Sequence, residues 1–101
     1  METEKLILGN KEYSSRLILG TGKYPDFEIM QKALDVSGTE IVTVAIRRIN
    51  LDDKSGNSLL DFINRKKYTL LPNTAGCYTA KDAILTCELA REALGTDIVK
   101  L

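Results

Sequence analysis

Apolar and polar positions change period several times along the chain, and each change marks an element. Residues 5 to 8 (KLIL) and 12 to 19 (EYSSRLIL) flank Gly9-Asn10. That pair readily takes the positive φ values of a tight turn, so the segment predicts a β-hairpin. The second arm is expected to run on as a strand over Arg16 to Leu19 and to end at Gly20-Thr21-Gly22. Pro25 and Asp26 then open a helical pattern with Phe27, Met30, Ala33 and Leu34 on one stripe, and Gly38 is its expected stop.

Residues 40 to 46 (EIVTVAI) are β-branched and nearly all apolar, which predicts a strand covered on both faces of a parallel sheet. Polar, glycine-containing sequence follows from Asp52 to Asn57, and Leu59, Leu60 and Ile63 predict a short helix. A third strand is expected over Tyr68 to Leu71, broken at Pro72. The strongest helical pattern is residues 79 to 94, with Ala80, Ala83, Ile84, Cys87, Ala90 and Leu94 opposite Lys81, Glu88 and Glu92. Thr79 is its expected N-cap and Gly95 its stop. Asp97 to Leu101 (DIVKL) begins a fourth strand.

A hairpin followed by β-α-β-α-β-α-β requires parallel strands joined by right-handed crossovers. Two architectures fit: a small open doubly wound sheet, or the N-terminal half of a (β/α)8 TIM barrel, which normally takes about 250 residues. A chain that stops within a strand leaves an edge unpaired, which favours the second. The expectation is therefore an α/β chain in which residues 1–101 form a partial barrel: a hairpin, the first four strands and three helices.

Composition removes several functions. With 44% hydrophobic and 28% charged residues the chain is not of disordered type. Its 14 basic and 14 acidic residues cancel, so no long-range field draws in nucleic acid or anionic lipid. No apolar run approaches the roughly 20 residues of a membrane span, and METEKLIL lacks the pattern of a signal peptide, so a cytosolic address is expected. Cys77 and Cys87 stand alone, without His or a CxxC pair, and suggest neither a metal site nor a disulfide. Because the chain has no histidine, acid, base and nucleophile must come from Lys, Asp, Glu, Cys, Ser, Thr or Tyr.

Gly20-Thr21-Gly22-Lys23 looks like a phosphate loop. A P-loop, however, needs glycine at 17 and Ser or Thr at 24, where Leu17 and Tyr24 stand, and the dinucleotide fingerprint fails at Pro25. What remains is a flexible strand-to-helix turn that could line a pocket. Asn73 and Thr74 offer neutral donors and acceptors just past the third strand, or simply close a turn. Arg47 and Arg48 end the second strand, where adjacent side chains point to opposite sides and only one can face a shared pocket.

Lys100 interrupts an apolar strand. Taken alone, it is either an edge lysine kept in solvent or a working amine, because burying an unpaired ammonium is costly. Inside a barrel mouth, desolvation favours a neutral amine able to attack a ketone and form an imine.

Four blocks stand in order across the chain: SRLILGTGKYPDF at 15 to 27, VTVAIRRIN at 42 to 50, YTLLPNTAG at 68 to 76 and the closing DIVKL. Together they resemble bacterial thiazole synthase, the ThiG family of thiamin biosynthesis. GTGK alone is a weak signal, but GTGKYP, VAIRR, LLPNTAG and the strand lysine in one order are specific. The resemblance implies an imine between Lys100 and the ketone of 1-deoxy-D-xylulose 5-phosphate, then tautomerisation that moves the carbonyl along the sugar. It implies sulfur delivered as the thiocarboxylate at the C-terminus of a small sulfur-carrier protein. It also implies dehydroglycine (iminoacetate), made by a separate enzyme, as the source of the ring nitrogen and two carbons.

The resemblance further implies a homo-oligomer that uses no metal or nucleotide cofactor for this step. Gly22, Lys23, Asn73 and Thr74 become candidate substrate-binding residues, and Lys23 is the one serious rival to Lys100 for the imine. The family's phosphate-binding loops and acid/base carboxylates belong to later strands, so the isolated 101 residues are expected to be inactive. A class I aldolase-like Schiff-base barrel and a non-catalytic half-barrel binding module are the alternatives.

Overall fold

The structure, a computed structural model, describes residues 4–49 and 58–101. The polar stretch Asp52 to Asn57, with Lys54, and Asn50 of the second block lie outside the described residues. Strands β1 (Leu6–Leu8) and β2 (Lys11–Tyr13) pair antiparallel around Gly9-Asn10, as the turn residues predict. Gly9 supplies the positive φ of 60°. The second arm does not run on as predicted. The chain leaves the ladder at Ser14, and β3 is only Ile18–Leu19, in a separate sheet. Local serine bonding explains the break: the Ser15 hydroxyl accepts from Leu17 N at 3.2 Å, while Ser15 N donates to Glu40 Oε1 at 2.6 Å.

Strand β4 (Ile41–Ala45) lies between β3 and β5 (Thr69–Asn73), all parallel, with Leu19 opposite Val42 and Ala45 opposite Asn73. Beyond β5 the expected fourth strand is reduced to one parallel bridge, Asn73 to Lys100. Strands thus follow chain order and run parallel, the arrangement that crossover connections between neighbours give. Pro72 does not break β5 as expected; it is a ladder residue opposite Val44 and fully buried. Its carbonyl accepts from Lys100 N at 2.9 Å. On a strand the N and C=O of one residue point to the same edge, so the missing N–H falls on the Lys100 side and leaves the β4–β5 ladder whole.

Helix α1 (Phe27–Ser37) is capped by Asp26, whose side chain accepts from Ile29 N, and stops at left-handed Gly38. Of the expected stripe, Met30 and Leu34 are fully buried, Ala33 is half-buried, and Phe27 stays exposed beside Phe62. Helix α2 (Ala80–Leu94) has Thr79 as N-cap and Gly95 as left-handed C-cap. Its buried line is Thr86, Ala90 and Leu94, rotated from the predicted stripe, and Ala80 and Ile84 are exposed. The Thr86 hydroxyl is satisfied inside by Cys77 Sγ at 3.3 Å, which lets a polar residue face the sheet. The predicted helix near Leu59 is a single 3₁₀ turn, Leu59–Phe62, started by a Ser58–Asp61 capping box.

Both helices pack on the face of the sheet that carries Val42, Val44 and Leu70, forming one core with Met30, Leu34, Ile46, Ile63 and Tyr68. The opposite face departs from the two-sided burial expected of β4: Thr43 and Ala45 are only half-buried. The hairpin reaches the lower end of that face, where Tyr13, itself buried, donates to Thr69 Oγ1 at 3.1 Å. Toward the carboxyl ends of the strands the face is open.

Candidate functional site

The open face ends where β3, β4 and β5 hand over to their loops, the edge at which parallel sheets hold ligands. There Gly20, Thr21, Gly22, Thr43, Ala45, Arg48, Leu59, Asn73 and Ala75 line a cleft of about 190 Å³. Hydrogen bonds bind its three walls together. Thr21 Oγ1 donates to the Thr43 carbonyl at 3.0 Å, and Asn73 Nδ2 donates to Thr43 Oγ1 at 2.9 Å. Asn73 Oδ1 accepts from Ala75 N at 3.1 Å, closing an Asx turn after β5. The lining combines a hydroxyl, a carboxamide and a guanidinium, groups that suit a small oxygen-rich or anionic molecule.

Of the residues expected to bind substrate, Gly22 and Asn73 line this cleft, whereas Lys23 and Thr74 do not. Lys23 stands on the rim, exposed, with a left-handed φ of 68°. That conformation costs a non-glycine residue about 1 kcal/mol, so packing around the loop must hold it. Thr74 contributes its backbone, donating from N to the Lys100 carbonyl at 3.2 Å. Lys100 is thereby gripped by both neighbours of Asn73, through Pro72 O and Thr74 N. Residues opposite each other in a parallel ladder send side chains to the same face, so Lys100 shares the face of Asn73 and Thr43. Its side chain is exposed and does not line the cleft.

Arg47 and Arg48 do not alternate on a strand as expected, because Ile46–Arg48 is a 3₁₀ turn. Their division of labour holds for another reason: Arg48 lines the cleft while Arg47 Nη1 donates to Gly76 O at 3.1 Å, tying the loop after β4 to the loop after β5. Cys77 and Cys87 are free, half-buried thiols. Thr43 was not among the sequence candidates. Its only signal was one hydroxyl in an otherwise apolar strand, and its partners lie about 20 to 30 positions away.

Charge coupling sits at the other end of the sheet. Asp35 of α1 accepts from Tyr68 Oη and from Lys67 Nζ, the latter at 3.1 Å. These bonds, Tyr68 first, hold the Asp35 carboxyl below its ordinary value, and Asp35 in turn pushes Lys67 up. Burial first, and then Asp35, pushes the Tyr68 phenol up. The cluster fastens α1 to the start of β5 and lies away from the cleft.

The whole pattern has known counterparts. A family model described as thiazole biosynthesis protein ThiG matches residues 7–101. A thiazole synthase of Geotalea uraniireducens is 64% identical over 100 residues, covering 99% of this chain and 38% of the relative. One of Geobacter sulfurreducens is 64% identical over 98 residues, and one of Thermodesulfovibrio yellowstonii 53% over 98. Each of these covers 97% of this chain, which spans only 38% of the relative's length. Among solved structures, a chain of the Amycolatopsis orientalis BexX/CysO complex matches 95% of this chain and 40% of its own length, with a TM-score of 0.71 at 23% identity. That likeness concerns the fold.

Proposed function

This chain belongs to the ThiG family of thiazole biosynthesis proteins, and from that premise we propose that the whole protein is a thiazole synthase with Lys100 as its imine-forming residue. It joins 1-deoxy-D-xylulose 5-phosphate, dehydroglycine and sulfur from a carrier-protein thiocarboxylate into the thiazole phosphate of thiamin. The observation that carries the reading is the bridge of Lys100 to Asn73, on the open face and beside the cleft at the carboxyl ends of the strands.

In this reading β3, β4, β5 and the Lys100 segment are the first four strands of a (β/α)8 barrel, and residues 1–101 are its N-terminal part. Strand order supports this, and so does the hairpin, fastened at the amino ends of the strands. The open face then becomes the barrel interior, and later strands enclose Lys100. Enclosure removes water from around the substrate and the amine. Its lone pair adds to the ketone carbon of the sugar phosphate, water departs, and a C=N bond remains. Proton loss from the adjacent carbon and return elsewhere shifts the carbonyl along the sugar.

Asn73 and Gly22 contact the sugar from the cleft, while Thr74 and Lys23 border it. The whole enzyme works as a homo-oligomer in the cytosol, taking dehydroglycine from the enzyme that makes it.

Borohydride reduction of full-length protein incubated with the sugar phosphate, followed by peptide mapping, tests the assignment. The label is expected on Lys100, and Lys100→Arg is expected to abolish it, since arginine keeps the charge but forms no such imine. A label on Lys23, or none, overturns it.

A further inference from the structure

We propose that Thr43 is the positioning residue of this site, acting through Asn73 to set the place of Lys100; the inference rests on the imine reading above. Thr43 sits between Val42 and Val44, both fully buried on the helix-covered face, while its own side chain looks toward the cleft. For strand formation alone a valine would serve as well, having nearly the same shape and an equal β preference. What the threonine adds is one hydroxyl at a junction of three strand ends. Through Oγ1 it accepts from Asn73 Nδ2 at 2.9 Å, and through its carbonyl it accepts from Thr21 Oγ1 at 3.0 Å.

The consequence passes down a short chain of contacts. The Asn73 carboxamide is held at both ends, by Thr43 and by Ala75 N. Lys100 has its backbone bonded to Pro72 O and Thr74 N, the two neighbours of Asn73 in sequence. A shift of the Asn73 backbone, which the held carboxamide restrains, therefore reaches both the cleft wall and the strand that carries the amine. The imine forms on Lys100, and Thr43 does not touch it. Its loss should act as a small misplacement, which lowers the rate of the chemical step rather than destroying the fold.

The test uses full-length protein and the rate of borohydride-trappable imine at saturating sugar phosphate. Thr43→Val should slow that rate about tenfold, the size expected from one lost hydrogen bond, with a fall in the thermal midpoint no larger than one such bond accounts for. Thr43→Ser, which restores the hydroxyl, should return it to within about twofold of the parent. In an Asn73→Ala background Thr43→Val should add almost nothing, because the two act through one contact. Parental speed in Thr43→Val, no rescue by serine, or fully additive losses would each overturn the proposal. Lys100→Arg is run beside them: an adduct that persists there, or none in the parent, overturns the imine reading itself and is read independently of Thr43.

Discussion

The phenol of Tyr13 donates to the hydroxyl of Thr69 at 3.1 Å, joining residues 56 positions apart and fastening the hairpin to the first residue of β5. Lys11 Nζ donates to the same oxygen at 3.0 Å and lies 5.5 Å from the centre of the Tyr13 ring. The two-stranded ribbon shares no ladder with the main sheet, and a lone hairpin is marginal in water. These side-chain contacts therefore decide where it sits. Tyr13→Phe keeps the buried ring and removes one bond, which should cost about 0.5–1.5 kcal/mol. The thermal midpoint should fall by roughly 4–8 °C for each kcal/mol lost. An unchanged midpoint would assign the anchoring to Lys11 alone.

Stability should be flat near neutral pH and decline on both sides. Asp35 is held low, so its contribution is complete above the ordinary carboxylate range near pH 4 and disappears as pH falls through its lowered value. Lys67 and Tyr68 are both held high, so theirs is complete below about pH 10 and disappears as pH rises through their raised values. Urea midpoints measured against pH for the parent and Asp35→Asn should therefore differ at neutral pH and converge in acid. A gap that stays constant down to about pH 2 would contradict this linkage.

Lys23 is the one described non-glycine residue with a positive φ. Glycine accepts that conformation freely, although it also gains entropy when unfolded. Lys23→Gly should thus be neutral to slightly stabilising, within about 1 kcal/mol. It should weaken sugar-phosphate binding if the rim ammonium serves the substrate. Equilibrium unfolding and binding titration read the two effects separately, and a stability loss above about 2 kcal/mol would show the Lys23 side chain to be structural.

The 101-residue chain should associate with itself. Ile84, Leu85, Leu89 and Leu101 are exposed, Leu101 at 90%, and a groove of about 460 Å³ opens between α2 and the segment leading to Leu101. Ile18 is also exposed on the edge strand β3. Open edges and apolar walls favour association. Sedimentation should give a mass that rises with concentration, whereas a monomer at all concentrations with cooperative unfolding would favour a self-sufficient small sheet.

Features governed by near neighbours in the chain were legible in the sequence. Asp26, Gly38, Thr79 and Gly95 bound the helices where expected, because a cap needs only backbone groups within one turn. Gly9-Asn10 turns the hairpin for the same reason, and alternating strands and helices required parallel pairing of neighbouring strands. The ordered blocks around Gly20, Arg47, Asn73 and Lys100 carried the family. What needed the tertiary structure were matters of facing. Whether Pro72 breaks a strand depends on which edge its nitrogen meets, and that edge belongs to Lys100 rather than β4. Whether Thr86 or Ile84 enters the core depends on the rotation of α2, a choice among neighbouring stripes in which Cys77 Sγ meets the buried Thr86 hydroxyl. Thr43 joins the site only because β4 brings it beside Thr21 and Asn73. Local periodicity fixes where an element begins and which residues alternate; the partner across a ladder or under a helix is set by packing between segments far apart in the chain.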